Sequence, residues 1–178
     1  ADLDAAIAAG AFSSFQFQGQ VCFSAGRHIV HESLASDYVD ALRDKANVAL
    51  GYAWLQAARP AEAKPSLQRV RLAGPFSNKA LLGVGWSDAE AADYRAALAP
   101  WLALRERSML DSAVQESLLA VPYALGKLGA FRRSLQQYET AIGVYTREMT
   151  RLDGSIAAIR AGKLSEMLLR EDVAEEMG

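Results

Sequence analysis

Residues 50–70 read LGYAWLQAARPAEAKPSLQRV, and residues 84–104 read VGWSDAEAADYRAALAPWLAL. Laid over each other, Leu50-Gly51, Ala63, Leu67 and Val70 fall on Val84-Gly85, Ala97, Trp101 and Leu104, each 34 positions later. A third copy, 121–141, puts Val121-Pro122, Ser134, Tyr138 and Ala141 in the same places, 37 positions after the second. The three extra residues fit an inter-repeat turn near Ser108 to Ala113. Pro60, Tyr94 and Phe131 recur three residues before the small residue. Self-similarity at such a period marks stacked units that cannot bury their apolar faces alone.

Each unit reads as two antiparallel helices. Small residues at Gly51, Gly85, Ala63, Ala97 and Ser134 let paired backbones approach. Leu67, Trp101 and Tyr138 fill the gap to the next unit. The turns inside the pairs fall near Ala58-Arg59-Pro60, Ala92-Asp93 and Gly129-Ala130, and Pro75 stands just past the second helix of the first copy. Pro122 sits where the other copies have glycine, so the first helix of the third copy is expected to kink or to start late.

These landmarks resemble the tetratricopeptide repeat family over 43–148. The resemblance implies an all-α fold: a short helical solenoid of three helix pairs, with capping helices at both ends. It also implies that the first helix of each pair lines a concave face. One equivalent groove position then holds Tyr52, Trp86 and Tyr123, and another holds Lys45, Lys79 and Glu116. An aromatic row with lysines at its mouth suits an extended peptide or a partner helix. The other reading of the aromatics is inter-repeat core. Val48 and Leu82 sit where the family's carboxylate clamp would use polar residues. After the repeats, 149–178 reads as a capping helix and an acidic tail, punctuated by Gly154 and Gly162; from Lys163 onward there are two basic and five acidic side chains.

The first quarter is different. It carries Phe15-Gln16-Phe17-Gln18-Gly19-Gln20-Val21-Cys22, with the one cysteine of the chain. Asp2-Leu3-Asp4-Ala5-Ala6 precedes it, and Gly26-Arg27-His28-Ile29-Val30-His31 and Tyr38-Val39 follow. Residues 2–42 resemble a piece of the aldehyde dehydrogenase family around its nucleophile, nearest the benzaldehyde or salicylaldehyde type. The resemblance implies that Cys22 matches the thiol that attacks the aldehyde carbonyl, although Phe23 is bulkier than the family's usual neighbour. No Gly-rich dinucleotide turn follows a strand, and the family's glutamate base and oxyanion amide lie on segments not present. A functional NAD-dependent dehydrogenase is therefore not expected, and no cofactor is.

A cofactor-independent cleavage of activated esters needs only a thiolate and a base. Cys22 would be the nucleophile and His28 or His31 the base. Arg27 to Glu32 reads as a strand in the parent fold, and alternation sets the two imidazoles on opposite faces. A strand cut from its sheet leaves unpaired amides, which allows a homodimer there. Ser36 to Ala46 reads as helix running into the first repeat, and Asp2 to Phe17 as a helix covering the end of the stack. The domain division expected is 1–42, 43–148 and 149–178.

Composition bounds the rest. With 51% hydrophobic and 22% charged residues, the 178-residue chain is an ordinary globular one. A net charge of −2 gives no electrostatic reason for nucleic acid or an anionic membrane as partner. No apolar run approaches the ~20 residues of a spanning helix. No signal peptide is read, which points to the cytoplasm on the sequence as given. One cysteine and two histidines are too few for a structural zinc site, and no metal is expected. The leading expectation is a protein- or peptide-binding scaffold, ahead of a Cys22 thiol hydrolase and of a fusion of fragments with no evolved function.

Overall fold

The computed structural model describes residues 3–15 and 28–163. The described residues are all helical in their regular structure, with no strand. The helices are α1 (Leu3–Phe15), α2 (Glu32–Gln56), α3 (Pro60–Gln68), α4 (Ser77–Glu90), α5 (Tyr94–Leu104), α6 (Ser112–Lys127) and α7 (Phe131–Arg160). Two compact units divide the chain, 1–134 and 135–178.

The turns inside the pairs repeat atom for atom. Ala58, Ala92 and Gly129, at equivalent places, have φ of 54°, 62° and 75°. The next amide in each case reaches back five residues: Arg59 to the Trp54 carbonyl at 2.9 Å, Asp93 to Asp88 at 2.8 Å and Ala130 to Leu125 at 2.9 Å. This left-handed closure satisfies the last carbonyls of the first helix. It also reverses the chain within three residues, which sets the second helix antiparallel. Asp93 then caps α5, its carboxylate accepting from the Ala96 amide at 3.0 Å. Asp111 caps α6 in the same way, through the Ala113 amide at 2.8 Å.

The small-to-large pairing of the repeats is a packing contact. Leu67 is 1% exposed and lies against Gly51 of its own pair and Gly83 of the next; a Cβ on Gly51 would collide with it. Trp101 is fully buried and lies against Gly85, where a Cβ would strike the indole; its Nε1 donates to the Leu82 carbonyl at 3.1 Å. The third copy solves the contact differently. Pro122 replaces the glycine, is fully buried, and its carbonyl accepts from Ser134 Oγ at 2.8 Å. α6 runs from Ser112 through Pro122 to Lys127, so the helix does not start late.

Within 1–134 the helices pack in chain order. α2 packs on α3, α3 on α4, α4 on α5 and α5 on α6; in addition α4 touches both α2 and α6. α3 and α5 make no comparable contact among the described residues. First helices therefore crowd together and second helices splay apart.

α1 lies on the N-terminal half of α2, with Ile7, Tyr38 and Ala41 buried together. Residues 28–31, expected as a strand remnant, have no regular structure. No strand edge exists there to pair with a second copy, and Ile29 is almost fully exposed. α2 is one continuous helix across residue 42. Asp44 on it is 2% exposed and holds the far end of the first pair: Arg71 donates its amide at 3.1 Å and its Nε at 2.8 Å. That contact raises the pKa of the Arg71 guanidinium.

In the unit 135–178, α7 continues across residue 148 as far as Arg160, and Gly154 does not interrupt it. Gly162, at φ 76°, closes its end, with the Lys163 amide reaching the Ala158 carbonyl at 3.0 Å.

Candidate functional site

The crowded side of the stack carries the aromatic and charged positions expected to face a groove. Tyr52 on α2, Trp86 on α4 and Tyr123 on α6 occupy it, in two neighbouring clusters. In the first, Lys45, Val48, Ala49, Tyr52, Gln56, Phe76 and Lys79 line an open cleft of about 310 Å³ between α2 and α4. The Tyr52 hydroxyl donates to the Lys79 carbonyl at 3.0 Å, and Lys79 Nζ lies 5.6 Å from the Tyr52 ring centre. Burial and the charge of Glu116 push the Tyr52 pKa up, so the phenol stays a neutral donor.

In the second cluster, Trp86 Nε1 donates to Glu116 Oε1 at 2.7 Å. The Trp86 ring centre is 6.0 Å from that of Tyr123 and, edge to face, 5.0 Å from that of Trp101. Tyr94 stands against Tyr123 at 6.0 Å, and Lys127 Nζ lies 5.5 Å from the Tyr123 ring centre. The two clusters obey one rule. The aromatic of one repeat bonds to the residue at the lysine position of the next: Tyr52 to Lys79, Trp86 to Glu116. The rule has a packing cause, since both positions lie on first helices that touch.

Core and groove are thus graded along the row. Tyr52 and Trp86 are half-buried, and Trp86 packs on the core around Trp101. Tyr123 is exposed at 37%. Lys45 is half-buried at the cleft wall and Lys79 is exposed. Phe76, Gln56, Tyr94 and Lys127 belong to the same surface and were not expected. Phe76 precedes a helix instead of sitting at a repeat position, so the period carries no signal for it. Val48 is buried and also lines the cleft, a dual role that its apolar identity allowed.

Cys22 lies outside the described residues. His28 Nδ1 is 2.6 Å from the buried Tyr38 hydroxyl, beside Gly10, where a Cβ would meet both side chains. His31 caps α2: its Nδ1 accepts from the Ser33 amide at 3.3 Å and lies 2.8 Å from Ser33 Oγ. Both imidazoles therefore have local bonding roles at the start of α2. Among the described residues, no group of three or more His, Cys, Asp or Glu side chains could hold a metal ion. No described helix is long and apolar enough to cross a membrane.

Residues 1–56 match the aldehyde dehydrogenase family. The match extends past Leu42 to Gln56, the last residue of α2. Similar curated proteins include a vanillin dehydrogenase of Amycolatopsis sp., 55% identical over 47 residues, which are 26% of this chain and 10% of that protein. A benzaldehyde dehydrogenase of Pseudomonas putida is 47% identical over 53 residues, 29% of this chain and 11% of its own length. A salicylaldehyde dehydrogenase of Pseudomonas sp. is 54% identical over 39 residues, 22% of this chain and 8% of its own length. The chain thus spans about a tenth of the length of the curated relatives it matches. No solved structure matches it.

Proposed function

We propose that the chain is a binding scaffold that holds an extended peptide or a partner helix along the face made by α2, α4 and α6, in the manner of tetratricopeptide repeats. The observation that carries this reading is that α4 touches both α2 and α6 while α3 and α5 make no comparable contact among the described residues; such an asymmetry would curve the stack and leave a concave side along Tyr52, Trp86 and Tyr123. The cleft between α2 and α4 supplies apolar floor from Val48 and Phe76 and cations from Lys45 and Lys79. A ligand with a carboxylate beside an apolar anchor meets both.

Selection from a displayed peptide library tests it. Recovered peptides are expected to carry an acidic residue or a free terminal carboxylate next to an apolar one. Their binding should fall at least about tenfold in a Lys45→Glu, Lys79→Glu variant, since attraction becomes repulsion. Failure to enrich any peptide, or enrichment of peptides indifferent to this variant, contradicts the reading. Trp86→Ala is a poor probe, because Trp86 also packs on Trp101; Tyr123→Ala touches less of the core.

A second reading, cleavage of activated esters by Cys22, is supported by the family match over 1–56 alone. Cys22→Ala separates the two: it would abolish esterase activity under the second reading and leave peptide binding unchanged under the first.

A further inference from the structure

α7 carries an apolar seam with a strict alternation of four and three residues. Leu135, Ile142, Met149 and Ile156 occupy one position of a heptad, and Tyr138, Tyr145, Leu152 and Ile159 the other. Seven of these eight are exposed, by 38% to 65%. A repeat of 3.5 residues held through more than three heptads is the pattern of a helix that supercoils with another helix. A helix lying on a globular core shows a wider stripe of period 3.6 instead. The seam's margins are already satisfied, since Thr146 and Ser155 donate their hydroxyls to the Ile142 and Arg151 carbonyls of their own helix.

We infer that α7 pairs with α7 of a second copy of this chain, as an antiparallel coiled coil staggered by one heptad. The flanking charges favour a stagger over the unstaggered pairs, and a stagger toward the N-terminus also covers the exposed Phe131. A parallel pair in register sets Glu148 beside Asp153 of the other copy, like against like. An antiparallel pair centred on the seam sets Glu139 beside Asp153 of the other copy, again like against like. The staggered antiparallel pair sets Ile142 against Tyr145, Tyr138 against Met149 and Leu135 against Leu152. It also sets Arg132 beside Asp153 of the other copy, twice by symmetry. Arg132 and Asp153 form no ion pair among the described residues, so neither has to leave a partner there. Counting Phe131, 73% exposed, which this stagger sets against Ile156, the eight side chains so paired offer on the order of 700 Å² per copy, near the ~800 Å² per partner of a stable interface.

Sedimentation of the full chain tests the pairing. The chain is expected to be a dimer at micromolar concentration, and Ile142→Asp with Met149→Asp to be monomeric with helix content retained by circular dichroism. Asp153→Arg alone should raise the dimer dissociation constant about tenfold, and adding Arg132→Asp should restore it. A monomeric wild-type chain overturns the inference, as does a dimer that survives Ile142→Asp with Met149→Asp. If that variant loses its helices, the charge exchange decides: no rescue by the second reversal overturns the staggered antiparallel arrangement.

Discussion

Residues 3–56 and residues 57–134 hold their structure in different ways. The first stretch resembles known proteins, and within it α1 packs on α2. The second lies outside the family match, yet its turns and the Gly85–Trp101 contact have counterparts one period away. α2 belongs to both. It lies inside the aldehyde dehydrogenase match, while its partners lie outside: Leu67 against Gly51, Arg71 on Asp44, Lys79 on Tyr52. Likeness to a family and membership of a packing unit are therefore separate properties of the same helix. The family match says what α2 resembles; its contacts say what it now supports.

The sharpest way to probe the difference is a single substitution at a buried contact on each side of it. Gly85→Ala, within the repeat region, drives a Cβ into the buried Trp101 indole and should cost about 3 kcal/mol in urea unfolding, since a rigid ring cannot turn away. Asp44→Ala, within the matched segment, should cost about 2 kcal/mol, because the Arg71 amide and guanidinium lose their acceptor. Gly51→Ala, also in the matched segment, meets the flexible end of Leu67 and should cost about 1 kcal/mol. Were α2 a bystander, the last two would leave the midpoint where it is. The smallest effect is at the turns. Ala92→Gly should stabilise by about 0.5 kcal/mol, because alanine is strained at positive φ, and Gly129→Ala should destabilise by about 1 kcal/mol.

Those turns show what could be read from the chain beforehand. The period located all three of them and marked Gly51, Gly85, Leu67 and Trp101 as packing positions, because repeats of this kind bury equivalent residues in equivalent ways; that Leu67 and Trp101 sit against those same glycines came from the structure. It did not reveal the Tyr52–Lys79 and Trp86–Glu116 bonds, which depend on how neighbouring first helices are spaced. Pro122 does not delay the helix, one of the two outcomes expected of it. A proline inside a helix forfeits one hydrogen bond, but burial can hold the helix together through it. The strand near His28 also failed to form. A strand needs a neighbour to satisfy its amides, and this segment instead leads into the cap of α2 at His31. The heptad spacing on α7 was not read from the chain, which was divided at residue 148; it emerged only when the helix proved continuous past that point.

Hydrogen exchange of the whole chain, followed by mass spectrometry, tests most directly whether α2 is structurally part of the repeat stack. Residues 44–56 should open together with α3 and α4, so that their amides exchange with the same opening free energy. Exchange of 44–56 at loop-like rates, while α4 and α5 stay protected, would contradict it and return α2 to the segment it resembles.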